Sequence, residues 1–137
     1  MEIHHFDDFL AAARAQSEPQ RLLMVFVATE LPEDADSAQR ERFAQGQGGA
    51  LVPLMCVDKT PEELDSFATL LHESKQFELP YQPWRLVFTA AIAGKGGKAP
   101  TTEEAESPLE RMVESVKLGM FGNLLPFDRE GHPVHFG

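Results

Sequence analysis

Lys95 and Lys98 bracket Gly96-Gly97 between an apolar run and a helix, and this stretch is the best equipped in the chain to hold an anion. Backbone N–H groups of a glycine loop, two ammonium groups and a helix N-terminus converge on such a site. Neither phosphate fingerprint is complete here. A P-loop needs glycine where Ile92 stands and a hydroxyl where Ala99 stands, and the dinucleotide pattern needs glycine at Ala99, with Pro100 interrupting the helix entry. The competing reading is a mobile exposed loop, its lysines offset by Glu103, Glu104 and Glu106. Two more candidates stand where apolar runs end, Thr29-Glu30 and Asp58-Lys59. Asp58 has the chemistry of a general base or hydrogen-bond acceptor; its structural alternative is a carboxylate favoured by the dipole of the helix that follows. In open α/β sheets, ligands bind beyond the carboxyl ends of the strands. That rule makes Glu30, Asp58, Lys59, Lys95, Gly96, Gly97 and Lys98 the candidate ligand-binding set.

Catalytic and metal motifs are scarce. No H-E-x-x-H, C-x-x-C or G-x-S-x-G occurs. His132 and His135 are spaced to fall on opposite faces of a strand, and the adjacent His4 and His5 supply too few ligands from one segment. No metal and no cofactor are expected, and no catalytic residue is assigned.

The elements that must position these residues alternate. A helix is predicted over Phe6–Ala15, with Phe6, Phe9, Leu10 and Ala13 on its apolar stripe and acids in its first turn. Arg21–Thr29 is apolar throughout, as suits a strand covered on both faces. A short polar helix over Ser37–Gln45 is stopped by Gly46-Gln47-Gly48-Gly49, which reads as a terminator or as a lid. The second strand, Ala50–Val57, carries Pro53 and so belongs at an edge or bulge. Thr60-Pro61-Glu62-Glu63 is a capping box opening a helix with Leu64, Phe67, Ala68 and Leu71 on one face. The third strand is Trp84–Ala93. A short acidic turn over Thr102–Glu106 then precedes a main helix from Pro108, with Leu109, Met112, Val113 and Val116 on its stripe and Gly119 at its end. Asp128-Arg129-Glu130-Gly131, between apolar segments, predicts a hairpin that Pro126 and Pro133 push to a sheet edge. The fold class is therefore α/β: one domain over 1–137, a sandwich of helices on a mixed sheet of roughly five strands, with a C-terminal antiparallel hairpin.

Composition excludes several functions. Acidic residues outnumber basic ones by 22 to 12, a formal charge of −10, and no basic face concentrates the cations. Such a chain repels phosphate backbones, so nucleic acid is not an expected partner. The apolar fraction of 42% and charged fraction of 25% are those of an ordinary globular protein. The longest apolar run, Leu22–Ala28, is too short for a membrane span, and the first residues have neither the positive start nor the apolar core of a signal peptide. Cys56 is the single cysteine, so no intrachain disulfide forms. It is read as a small buried hydrophobe in an apolar strand. These features predict a cytoplasmic protein.

Pro53-Leu54-Met55-Cys56-Val57-Asp58-Lys59, Gly94-Lys95-Gly96-Gly97-Lys98-Ala99-Pro100-Thr101 and the ending Phe127-Asp128-Arg129-Glu130-Gly131-His132-Pro133-Val134-His135-Phe136-Gly137 resemble a group of small proteobacterial proteins often labelled ribonucleotide reductase alpha subunit. The resemblance covers most of the chain and implies a bacterial source. The reductase chemistry requires a radical-bearing cysteine and a further cysteine pair, so one cysteine excludes a catalytic subunit of that enzyme. The leading expectation is a non-catalytic binding or regulatory module. The alternative is a small-molecule enzyme or a nucleotide- or phosphate-binding protein that uses the strand ends and the Gly94–Lys98 loop. A third is a homodimer whose hairpin edge pairs with a second copy.

Overall fold

The structure, a computed structural model, describes residues 2–31, 34–45 and 50–135. The elements run α1 (Phe6–Arg14), β1 (Gln20–Glu30), α2 (Ser37–Ala44), β2 (Ala50–Lys59), a 3-10 turn (Pro61–Glu63), α3 (Phe67–Phe77), β3 (Leu86–Ala93), α4 (Thr102–Lys117) and β4 (Leu125–Phe127). The glycine stretch assigned to a terminator or lid lies outside the described residues.

The protein is α/β, with its strands in the order β2-β1-β3-β4. Among the described residues the sheet has four strands rather than five, and every pairing is antiparallel rather than mixed. The fifth strand fails for want of donors. Beyond the Asp128–Gly131 turn the chain closes back through Asp128 N–H to His132 O (2.9 Å) and Val134 N–H to Pro126 O (3.0 Å). Ladder pairing there is a single bridge between Phe127 and Pro133, and Pro126, whose carbonyl accepts from Val134, has no N–H to return the bond.

β1 is the centre of the molecule, buried from Leu22 to Ala28. Leu22, Met24 and Phe26 pack with Phe6, Phe9 and Leu10 of α1 and Phe67 and Leu70 of α3. Leu23, Val25 and Val27 pack with Leu109, Met112 and Val116 of α4 on the other face. An uninterrupted apolar strand is thus explained by helices on both sides of an antiparallel sheet, an arrangement that parallel sheets use more often. β2 lies at the edge, and its register shifts beside Pro53. Pro53 faces Val27, whose carbonyl accepts the Arg85 N–H from the β3 side (2.7 Å), so no ladder bond to β1 is lost at the proline. The edge position also corrects the reading of Cys56, which is exposed, not buried.

Two helix starts differ from expectation. The Thr60–Glu63 capping box forms, but it opens only the 3-10 turn, and Leu64 leaves the helical conformation. Arg14 Nη2 donates to the carbonyls of Pro61 (2.9 Å) and Leu64 (2.6 Å), which holds the chain out of helix there. α3 begins later, with Phe67 N–H donating to the Asp7 carboxylate (2.7 Å). The apolar face is therefore Phe67 and Leu70, with Leu64 before it and half-buried Leu71 packed beside them as expected, while Ala68 is exposed. α4, by contrast, starts early and is one helix that contains Pro108. Thr101 and Glu104 cap it reciprocally (3.0 and 3.1 Å), and fully buried Ala105 anchors the first turn. Those contacts outweigh the loss of one helical hydrogen bond at Pro108. Its far end is a Schellman closure: Met120 N–H meets Ser115 O (2.8 Å), Gly119 N–H meets Val116 O (3.1 Å), and Gly119 has φ +72°. Among the described residues no helix is long and apolar enough to cross a membrane.

Candidate functional site

An antiparallel sheet separates the carboxyl ends of neighbouring strands. Glu30 ends β1 opposite Ala50, the first residue of β2. Lys59 ends β2 opposite Leu22, and Ala93 ends β3 opposite Gln20. The sequence-selected candidates are divided accordingly: Asp58, Lys59 and Gly94–Lys98 lie at one end of the sheet, Glu30 at the other.

At the first end, Asp58 is enclosed by partners. Its Oδ2 accepts from Arg21 Nη1 (2.7 Å) and from Thr102 Oγ1 (2.8 Å), and Arg21 Nε donates to the Pro100 carbonyl. The carboxylate thus ties β1, β2 and the start of α4 together, in the position before a helix that favours an anion. Lys59 Nζ is 3.4 Å from Glu73 of α3. The glycine loop is a tight two-residue turn: Lys95 and Lys98 exchange backbone hydrogen bonds of 3.0 and 3.1 Å, and Gly96 and Gly97 have φ of +59° and +79°. Those angles belong to the hairpin turn that only glycine and a few polar residues adopt readily. Gly97 N–H donates to the Glu18 carboxylate (3.0 Å), so a protein anion occupies one of the donors that a phosphate would use.

The other end holds a cleft of about 730 Å³. The first residues of β2 and β3, the last turn of α4 and the Asp128–Glu130 turn surround it. Leu51, Leu86, Val116, Phe121 and Val134 supply its apolar lining. Arg85, Lys117 and Arg129 supply its cations, in a chain of formal charge −10. Glu30 lines a shallower neighbouring depression that shares Thr29 and Arg85 with the cleft, and it accepts from Gln82 Nε2 (2.9 Å). Of the sequence-selected set, Glu30 alone adjoins this cleft.

The cations differ in freedom. Arg129 is held: its guanidinium donates to Glu78 and to the Trp84 carbonyl (3.0 Å) and stacks 4.7 Å over the Trp84 ring. Trp84 is fully buried, with its indole N–H on Ser74 Oγ (2.9 Å). Burial alone would raise the Glu78 carboxyl. The hydrogen bonds from Arg129 and from the Trp84 backbone N–H, with the charges of Arg129 and Lys75, instead hold it below the ordinary glutamate range. Lys117 has a loose partner in Glu114, 3.6 Å away on the same exposed helix face. Arg85 has no side-chain hydrogen bond or ion pair among the described residues. Asp128 is occupied by its own turn, accepting from the N–H groups of Glu130 and His132 (both 2.9 Å).

Arg85, Lys117 and Arg129 are not singled out by motif, because each stands alone in sequence. The available signal is Arg85 itself, a charge inside an otherwise apolar strand run, where only a site or a wet end accommodates it. No family model, curated protein or solved structure matches the chain.

Proposed function

We propose that this chain is a non-catalytic binding module of the cytoplasm, and that its ligand site is the cleft between the Leu51–Leu86 end of the sheet and the last turn of α4. The observation that carries the reading is the combination of an apolar-lined volume of about 730 Å³ with cations that the fold leaves partly uncommitted. Ligand sites in small proteins are typically apolar clefts of this size with a few polar groups that orient the ligand. Two acids argue against proton transfer as its role: Asp128, on the wall, is held by backbone donors, and Glu78, bonded to the wall residue Arg129, is kept ionised. A general acid–base carboxyl at neutral pH needs the opposite shift.

The test is a thermal-shift screen of metabolites on the purified chain, repeated with Val134→Trp, which fills the cleft from its C-terminal wall. Stabilising compounds are expected for the parent protein and lost in the variant. Equal stabilisation of the variant, or substrate turnover by the purified chain, would overturn the reading.

A further inference from the structure

We infer that the cleft selects organic monoanions with an apolar body, a carboxylate on a short alkyl or aromatic group. This rests on the reading of the cleft as the ligand site and adds the chemistry of what it takes. Arg85 and Lys117 come from different walls, the entry to β3 and the last turn of α4, with Leu51, Leu86, Val116 and Phe121 also lining the space. The Arg85 side chain has no hydrogen bond or ion pair among the described residues, and the Lys117–Glu114 pair is more than half exposed on both sides, so neither cation must give up a strong bond to meet a ligand. A guanidinium presents a planar fork that fits a carboxylate through paired N–H donors. Arg129, although also on the wall, is already neutralised by Glu78.

The same surroundings limit the charge that the cleft tolerates. Asp128 and Glu130 also line it, and it lies at the negative end of the α4 dipole. The whole chain carries −10, so each further negative charge on a ligand is opposed. Polyphosphates and nucleotides therefore fit poorly, whereas a single carboxylate adds only one negative charge against the two cations of Arg85 and Lys117. The apolar lining then accounts for the rest of the ligand, since burying alkyl or ring surface supplies the non-directional part of the affinity.

The experiment uses octanoate and octanol, which share a carbon chain length and differ in charge, titrated into the isotopically labelled full chain and followed by amide NMR. Octanoate is expected to move the amides of Leu51, Leu86 and Phe121. Octanol should bind at least about tenfold more weakly, and Arg85→Gln/Lys117→Gln should weaken octanoate by about tenfold while leaving octanol unchanged. Unaltered thermal melting by Trp84 fluorescence confirms that the double variant is folded. Octanol as tight as octanoate at the same amides, or octanoate indifferent to the double variant, would overturn the anion class while leaving the cleft as the site. Amides at the cleft that move with neither compound would count against the cleft itself.

Discussion

Arg21 and Asp58 stand diagonally across neighbouring strands, Asp58 opposite Leu23 and its carboxylate 2.7 Å from the Arg21 guanidinium. Their side chains are only 14% and 16% exposed, so each needs the other. The pair is a joint between the sheet and α4. Removal of one partner leaves a largely enclosed charge, and Asp58→Ala is expected to cost about 2–3 kcal/mol in urea unfolding. Octanoate binding at the cleft should be unchanged in that variant. A loss of ligand affinity with full stability would restore Asp58 as a site residue.

Acid should weaken the fold through Glu78. Its carboxyl is lowered in the folded protein, so the stabilisation is fully present above the unfolded value of 4.5 and disappears as pH falls through the folded value. Glu63, lowered chiefly by the Thr60 backbone N–H, contributes in the same direction. Unfolding free energy measured between pH 7 and pH 3, with the single tryptophan as reporter, should fall towards acid and fall less in Glu78→Gln. An identical pH profile for the variant would show that the Glu78–Arg129 contact does not form in solution.

Glycine substitutions at the Lys95–Lys98 turn should rank in an order that composition alone does not suggest. A Cβ on Gly94 would lie 1.8 Å from the Lys98 carbonyl oxygen, whereas one on Gly96 meets nothing within 4 Å. Gly94→Ala therefore forces the backbone apart and should cost about 2–3 kcal/mol. Gly96→Ala bears mainly the left-handed φ of +59°, about 1–2 kcal/mol. Equal melting temperatures for the two variants would contradict this turn geometry.

His5 and Gly131 should be energetically coupled. The His5 ring accepts Asp7 N–H at Nδ1 (3.1 Å), capping α1, and meets the Glu130 carbonyl through Nε2 (2.9 Å). A Cβ on Gly131 would lie 2.5 Å from that ring. His5→Ala is expected to cost about 1 kcal/mol as a lost cap. Gly131→Ala should cost less in the His5→Ala background than alone, leaving the strain of its φ of +82° and the tight 3.1 Å approach to the Phe67 ring. Strict additivity of the two changes would refute the contact.

ATP and inorganic phosphate should not stabilise the protein, and Lys95→Ala/Lys98→Ala should not change that result. Gly97 N–H is engaged by Glu18, and the α4 entry is capped by its own Thr101 and Glu104. A phosphate-dependent thermal shift abolished by the double variant would establish the alternative site.

The strands and three of the helices are legible in the sequence because their apolar patterns are long: β1 as a continuous run, α1 and the Leu109–Val116 stripe of α4 as helical spacing. The direction of the strands is not legible. β1 looks like a parallel strand because both its faces are covered, and coverage depends on which helices return to it, not on its own residues. That one ambiguity displaced the candidate site, since the strand-end rule gathers Glu30, Asp58 and Gly94–Lys98 only in a parallel sheet. Helix starts fail for another reason. Thr60–Glu63 and Thr101–Glu104 are equally good caps, but Arg14 interrupts the chain after the first and buried Ala105 supports the second. Cleft residues such as Arg85 and Lys117 meet only through the fold.

The two-sided burial of β1 removes the usual safeguard against misalignment. In a strand with one wet face, a slip of one residue throws grease into water and is rejected at once. Here Leu22, Met24 and Phe26 would merely exchange sides with Leu23, Val25 and Val27. Solvent cannot tell the two threadings apart. Discrimination falls to shape, Met24 against Val25 and Phe26 against Val27, and to the charged clasp that closes only when Arg21 and Asp58 arrive on the same side.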